Sequence, residues 1–172
     1  MKLILINGLI ASGKTTLGTA LVQSYSVSGK KASFYDLDDE IERLNGNHEF
    51  DTEEKKTEVW HTARKNIAEK IGKEHIHDDY VVVAGPFYMD DEISGLTDYL
   101  PEHITPILFT LDVPLEMRKI RNSQREHPND VKDLEIQEEV LQQLASIPGI
   151  IVENNEDIDK GVKEIMIQVE KE

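Results

Sequence analysis

The chain has no cysteine, which excludes a disulfide framework and any thiolate metal site. Basic residues are scarce, 19 Lys and Arg against 34 Asp and Glu, for a net charge of −15. Such a balance argues against a general nucleic-acid binder, because phosphate backbones require clustered Lys and Arg. The field favours a neutral or cationic small partner, weakly at physiological salt, and still allows a locally positive loop. No stretch approaches the roughly 18 apolar residues of a membrane helix. The start, Met-Lys-Leu-Ile-Leu-Ile-Asn-Gly, lacks a signal-peptide core and a cleavage site, which predicts a soluble cytoplasmic protein. Repeats, low-complexity segments and linkers are also missing, so the 172 residues read as one domain. Of the six histidines, His61, His75, His77 and His103 read as surface residues, and no histidine-based metal site is expected.

What is present begins at the amino end. An apolar run, Lys2–Ile6, leads into Gly8-Leu-Ile-Ala-Ser-Gly13-Lys14-Thr15-Thr16, which fits G-x-x-x-x-G-K-[ST]. Glycines at these positions let the backbone curl so that successive N–H groups face a phosphate. A helix starting near Gly13 adds the positive end of its dipole. Lys14 carries a full charge to the β- and γ-phosphates, and the Thr15 hydroxyl is placed to ligate Mg²⁺. Gly8, Ala11, Ser12, Gly13, Lys14, Thr15 and Thr16 are therefore the expected nucleotide-binding set.

Strand-like runs at Lys2–Ile6, Ala32–Tyr35, Tyr80–Ala84, Ile107–Leu111 and Gly149–Val152 are short and aliphatic without polar alternation, as in strands buried on both faces. Helical spacing marks Lys14–Tyr25, Thr52–His75, Leu115–Arg125, Val131–Ala145 and Ile158–Gln168, the last started by Asn155 or Glu156. Its apolar stripe is Ile158, Val162, Ile165 and Val169. Alternating strands and helices imply right-handed βαβ units. The expected fold is α/β, a three-layer P-loop NTPase with a five-stranded parallel sheet covered by helices on both faces. Segments 46–52 and 125–133 read as mobile excursions.

The second strand delivers Asp36-Leu-Asp38-Asp39-Glu40-Ile-Glu42. Ligands of an open parallel sheet sit outside the carboxyl ends of its strands, which brings Asp36 and Asp38 toward the phosphates held by Lys14. One carboxylate has the task of holding Mg²⁺ with Thr15, the other of accepting a proton from an attacking hydroxyl. The alternative is that Asp38 or Asp39 caps a helix through Arg43. Asp39 and Glu40 read as solvated first-turn acids.

Gly8–Thr16 together with Phe34–Glu42 resembles the P-loop small-molecule kinases typified by shikimate kinase and gluconate kinase, with the chloramphenicol phosphotransferase-like relatives often named AAA-domain proteins. The resemblance runs through nearly the whole chain in element order. It extends to Leu111–Arg125, whose arginines include Arg118, Arg121 and Arg125. In that family one arginine here lies against the adenine and another, on a lid, folds over the transferring phosphate. Arg121 matches the first position and Arg125 the second, with Arg118 as a substitute; the three also fit a solvated helix face. Lys132 is a weaker assistant. Asn154 or Asn155 falls where the family packs beside the base, or forms a simple turn.

Departures are visible too. Ala84 stands where many P-loop proteins carry a Walker-B aspartate, which leaves the metal to Thr15, Asp36 and water. Arg64 is the only arginine between residues 44 and 117, so the shikimate acid-binding pattern is not carried over. The acceptor site is expected over residues 38–75 and beyond, from His48, Phe50, Trp60, His61, Arg64, Phe87 and Tyr88, with Trp60 alternatively a core anchor. A lid is expected over 122–133. The resemblance implies an ATP- and Mg²⁺-dependent kinase acting on a hydroxyl of a small molecule, with Lys14, Asp36, Asp38 and Arg125 catalytic. The rival reading is a nucleotide-binding switch or NTPase acting on a protein partner.

Overall fold

Five strands form where the aliphatic runs place them: β1 (Lys2–Asn7), β2 (Ala32–Asp36), β3 (Tyr80–Ala84), β4 (Pro106–Asp112) and β5 (Ile150–Glu153). Four of them run one residue past the expected end, to a polar residue: Asn7, Asp36, Asp112 and Glu153. The extension sets polar side chains along the carboxyl edge of the sheet. The computed structural model describes residues 1–46, 50–143, 146–155 and 157–172. His48 lies outside these residues, as do the helix end expected at Ala145 and the candidate cap Glu156.

All strand pairs are parallel, in the order β2-β3-β1-β4-β5. Seven α-helices accompany them among the described residues: α1 (Lys14–Val27), α2 (Leu37–Asn45), α3 (Glu53–Lys70), α4 (Asp90–Thr97), α5 (Leu115–Ser123), α6 (Val131–Gln143) and α7 (Ile158–Val169). Because side chains alternate along a strand, β1 feeds two cores. Leu3 and Leu5 pack with Val81, Val83, Leu37, Ala63 and Ile67 on one face. Ile4 and Ile6 pack with Leu17, Leu21, Phe109, Val162 and Ile165 on the other. The sheet is thus covered on both sides, by α2, α3 and α4 on the first face and by α1 and α7 on the second. No helix among the described residues is long and apolar enough to cross a membrane.

Three departures have local causes. The helix expected to run unbroken over 52–75 ends as α3 at Lys70 and continues as a π-helical turn, Ile71–His75. There His75, expected at the surface, is half-buried: its Nδ1 lies 2.8 Å from Ser33 Oγ and 2.8 Å from Asp78 Oδ2. Helix α4 carries too few apolar residues to be seen as periodic; buried Leu96 and the Glu92 carboxylate, which accepts the Tyr88 and Met89 amides at 2.7 and 3.0 Å, hold it. Asp157, rather than Asn155 or Glu156, caps α7, accepting from the Asp159 and Lys160 amides. Ile158, next to that cap, is exposed, while Val162, Ile165 and Val169 are buried.

Candidate active site

The loop leaves β1 and enters α1 at Lys14. A Cβ on Gly8 would stand 2.4 Å from Ser12 Oγ, so a side chain there would have to displace that hydroxyl. Gly13 has φ 93°, and its Cβ would meet Asn154 Nδ2 at 2.8 Å, so both conformation and space demand glycine. Ala11, at φ 61°, is the one non-glycine residue with positive φ among those described. Such a conformation persists only where its surroundings hold it. The Ser12 amide closes the turn onto Leu9 O at 3.1 Å. Lys14 Nζ donates to Gly8 O at 3.0 Å and reaches Leu9 O at 3.4 Å. Burial pushes its pKa down, against the attraction of Asp38 and Asp36, while Arg125 and Arg118 add to the lowering.

The acidic turn meets the loop directly. Thr15 Oγ1 donates to Asp36 Oδ2 at 2.5 Å, and the other Asp36 oxygen accepts the Asp38 amide at 3.0 Å. Asp36 is therefore the N-cap of α2, in place of Asp38 or Asp39. It pairs in register with Ala84 of β3, so its carboxylate stands next to the strand end that lacks a Walker-B aspartate. Asp38 keeps a face open to solvent. The atoms crowding its carboxyl nonetheless raise its pKa, Asp36 raises it further, and Lys14 and Arg125 oppose the rise. Glu40 is not a solvated acid: it is 6% exposed and accepts from Arg43, Asn66 and Lys70.

The three arginines of α5 and its end have three separate environments. Arg118 is fully buried, pairs with Glu138 of α6 and donates to Val113 O, which removes it from a solvated face. Arg121 donates to Asn154 O and Asn155 O, each at 2.7 Å, and to Ser12 O at 3.2 Å, tying the turn after β5 to the loop. Arg125 is exposed beyond the end of α5, with its charge felt by both Lys14 and Asp38. Loop, acidic turn and arginine segment thus converge at the carboxyl edge of the sheet.

A family model described as AAA domain matches residues 3–148. The chain belongs to the AAA domain family. No match is found among curated proteins. Among solved structures, a gluconokinase from Sinorhizobium meliloti 1021 is similar over 99% of this chain and 92% of its own, with TM-score 0.67 and 17% identity. A shikimate kinase from Bacteroides thetaiotaomicron is similar over 98% of each chain, with TM-score 0.65 and 19% identity. The Mycobacterium tuberculosis APS kinase CysC, solved with AMPPNP and APS, is similar over 99% of this chain and 98% of its own, with TM-score 0.67 and 16% identity. At these identities the likeness establishes the P-loop kinase fold.

Of the residues expected to bind an acceptor, this AAA domain brings part together. Arg64 reaches Glu92 at 3.4 Å and lies 5.5 Å from the Trp60 ring centre. Trp60 is half-buried and packs against the first core. Tyr88 is half-buried, its hydroxyl raised in pKa chiefly by burial, with the Arg118 charge opposing. His61 is exposed and lies 3.3 Å from the Tyr99 hydroxyl, and Phe50 is half-buried. Phe87 belongs to the core at 0% exposure, its amide donating to Asn7 Oδ1 at 3.0 Å, so it lines no open pocket. Lys132 is exposed. Asn154 uses its amide on Ser12 O at 2.8 Å, which takes that side chain away from a role on a base.

Two residues of the site escaped the sequence reading. Asn7, buried between Thr110 Oγ1 and the Phe87 amide, locks β1 to both flanking strand ends. Its signal was a polar residue at the end of an apolar run, just before Gly8. Gln137, whose Oε1 accepts the Ile10 amide at 2.8 Å, had no local signal.

Proposed function

We propose that this chain is a kinase that uses ATP and Mg²⁺ to phosphorylate a hydroxyl of a small molecule. The observation that carries the reading is the 2.5 Å bond between Thr15 Oγ1 and Asp36 Oδ2, which joins the phosphate loop and the acidic turn into one site. The donor set, one hydroxyl and one carboxylate beside free loop amides, fits Mg²⁺, which is held largely by substrate phosphates and water. Bound there, the metal would neutralise charge on the β- and γ-phosphates. No cluster of three or more His, Cys, Asp or Glu suited to a metal occurs among the described residues, so Thr15 and Asp36 carry the protein's share.

The remaining roles follow from what each group is already doing. Lys14, with the amides from Gly13 into the first turn of α1, holds the phosphates. Both Asp36 oxygens are engaged, whereas the Asp38 carboxyl stands between Lys14, Arg125 and solvent. Asp38 is therefore the base. It takes the proton of the acceptor hydroxyl as that oxygen bonds to the γ-phosphorus. The bond to the β–γ bridging oxygen breaks, and ADP leaves with the electron pair. Arg125, on a lid over 122–133, supplies charge to the transferring group, and Arg121 borders the adenine side. Residues 38–75 contribute the acceptor side with Trp60, Arg64 and Tyr88. Arg64 reaches Glu92 through one Nη at 3.4 Å, while its buried Nε has no hydrogen-bond partner among the described residues. The similar gluconokinase, shikimate kinase and APS kinase support a small hydroxyl-bearing acceptor as the class.

The test is transfer of label from γ-labelled ATP with Mg²⁺ across a panel of hydroxyl compounds, with Lys14→Ala as blank. A labelled product from the native chain alone is expected. Tight nucleotide binding with no product across a broad panel would overturn the reading in favour of a nucleotide-dependent switch.

A further inference from the structure

The loop between Gly8 and Gly13 takes its shape from side chains in the last third of the chain. On one side Asn154 Nδ2 and Arg121 Nη1 donate to Ser12 O at 2.8 and 3.2 Å. On the other, Ile10 N donates to Gln137 Oε1 at 2.8 Å, across 127 positions of sequence. Gln137 is half-buried on α6, and α6 is itself fixed to α5 by Arg118 with Glu138 and by Lys119 with Glu135 at 2.9 Å. The engaged amide immediately precedes Ala11, whose φ of 61° needs outside support. With Ser12 N closing onto Leu9 O, the Ile10 and Ser12 amides are both occupied inside the protein. The amides from Gly13 into the first turn of α1, which a helix leaves unpaired, remain for a phosphate.

We propose that Gln137 is a positioning residue: through the Ile10 amide, α6 holds the loop in its phosphate-binding form. Loop shape and α6 placement are then coupled, and α6 begins within the segment proposed as the lid. The consequence for ligand binding rests on the nucleotide-binding reading above; the contact itself does not.

Gln137→Met removes the acceptor oxygen while keeping side-chain length and helix propensity. In full-length protein, Ile10 amide hydrogen exchange is expected to accelerate about tenfold, with Tm lowered by no more than about 4 °C. The Kd for Mg²⁺-AMPPNP is expected to rise about five- to tenfold, the worth of one ordinary hydrogen bond. Gln137→Glu, which keeps an acceptor oxygen, is expected to return Ile10 to slow exchange. Unchanged Ile10 exchange in Gln137→Met, or an unchanged Kd, overturns the proposal. Lys14→Ala separates the two readings. If native chain and Lys14→Ala bind AMPPNP alike, or neither binds, the nucleotide reading falls and this role falls with it. If only Lys14→Ala loses binding while Gln137→Met binds like the native chain, the role of Gln137 alone falls.

Discussion

Lys14, Asp36 and Asp38 form a small electrostatic system in which each group has a different freedom. Lys14→Ala is expected to abolish transfer and to weaken nucleotide binding, measured by titration with AMPPNP. Asp38→Asn is expected to leave that binding in place and to cut turnover by roughly 10²–10⁴-fold, the range for a lost general base. With Asp38 as the proposed base, activity is expected to fall as pH drops through its pKa, because a base works only when deprotonated. That pKa is raised, chiefly by burial. The acidic limb of the pH–rate profile is therefore expected above the ordinary aspartate range, and to vanish in Asp38→Asn. The loop motif and both aspartates were legible from spacing. Their different bonding was not, because Thr15 Oγ1 and the Asp38 amide claim the two oxygens of Asp36 only in the folded chain. Gly13→Ala tests the loop geometry itself. Its φ of 93° and the 2.8 Å approach of Asn154 predict a loss of both Tm and nucleotide affinity.

Helix α2 shows how an element follows from one cap and one buried acid. Asp36 starts it, and Glu40 anchors it to α3 through Asn66 and Lys70 while bonding Arg43 on its own helix. The Arg43 hydrogen bond, ahead of those from Asn66 and Lys70, brings the Glu40 pKa from 4.5 to about 2 against the opposing effect of burial. A carboxylate with a depressed folded-state pKa adds stability above its unfolded value. That contribution is present above pH 4.5 and is lost as pH falls toward about 2. Arg43 and Lys70 are 58% and 41% exposed, so solvent screens much of the gain. Glu40→Gln is expected to cost about 1–2 kcal/mol at neutral pH and to flatten the fall in Tm over that acid window. In sequence Glu40 is one acid in a run of three, with nothing local to mark it as the buried one. The same limit hid α4, whose stability comes from Leu96 in the core and Glu92 at its start rather than from a periodic face.

At the scale of the whole molecule, the order β2-β3-β1-β4-β5 sets β1 in the middle, with the loop after it flanked by the ends of β3 and β4. The arm formed by α5 and α6 is joined by Arg118, a buried charge held by Glu138, and reaches the loop through Arg121 and Gln137. Arg118→Met removes the partner of Glu138, which at 28% exposure can still be solvated, and is expected to lower stability by about 1–3 kcal/mol, read by denaturant unfolding. Arg125 is free of such a framework role. On the proposed lid role, Arg125→Ala is expected to lower kcat with little change in nucleotide affinity, since such a charge acts mainly in the transition state. A loss confined to affinity would remove Arg125 from the lid.

The sequence by itself determined the fold class, the five strands, the loop and the acidic turn, because each rests on short-range pattern: aliphatic runs, glycines at fixed spacing and carboxylates just past a strand. Tertiary structure alone decided what those parts do to one another. It buried Glu40, Arg118 and Phe87, and brought Asn154 and Gln137 onto the loop. The deciding partners can be far off in sequence, 26 positions for Glu40 with Asn66 and 142 for Asn154 with Ser12. Burial and hydrogen bonding at such separations arise only when the sheet brings distant strand ends to one edge, and no local pattern of residues encodes that meeting.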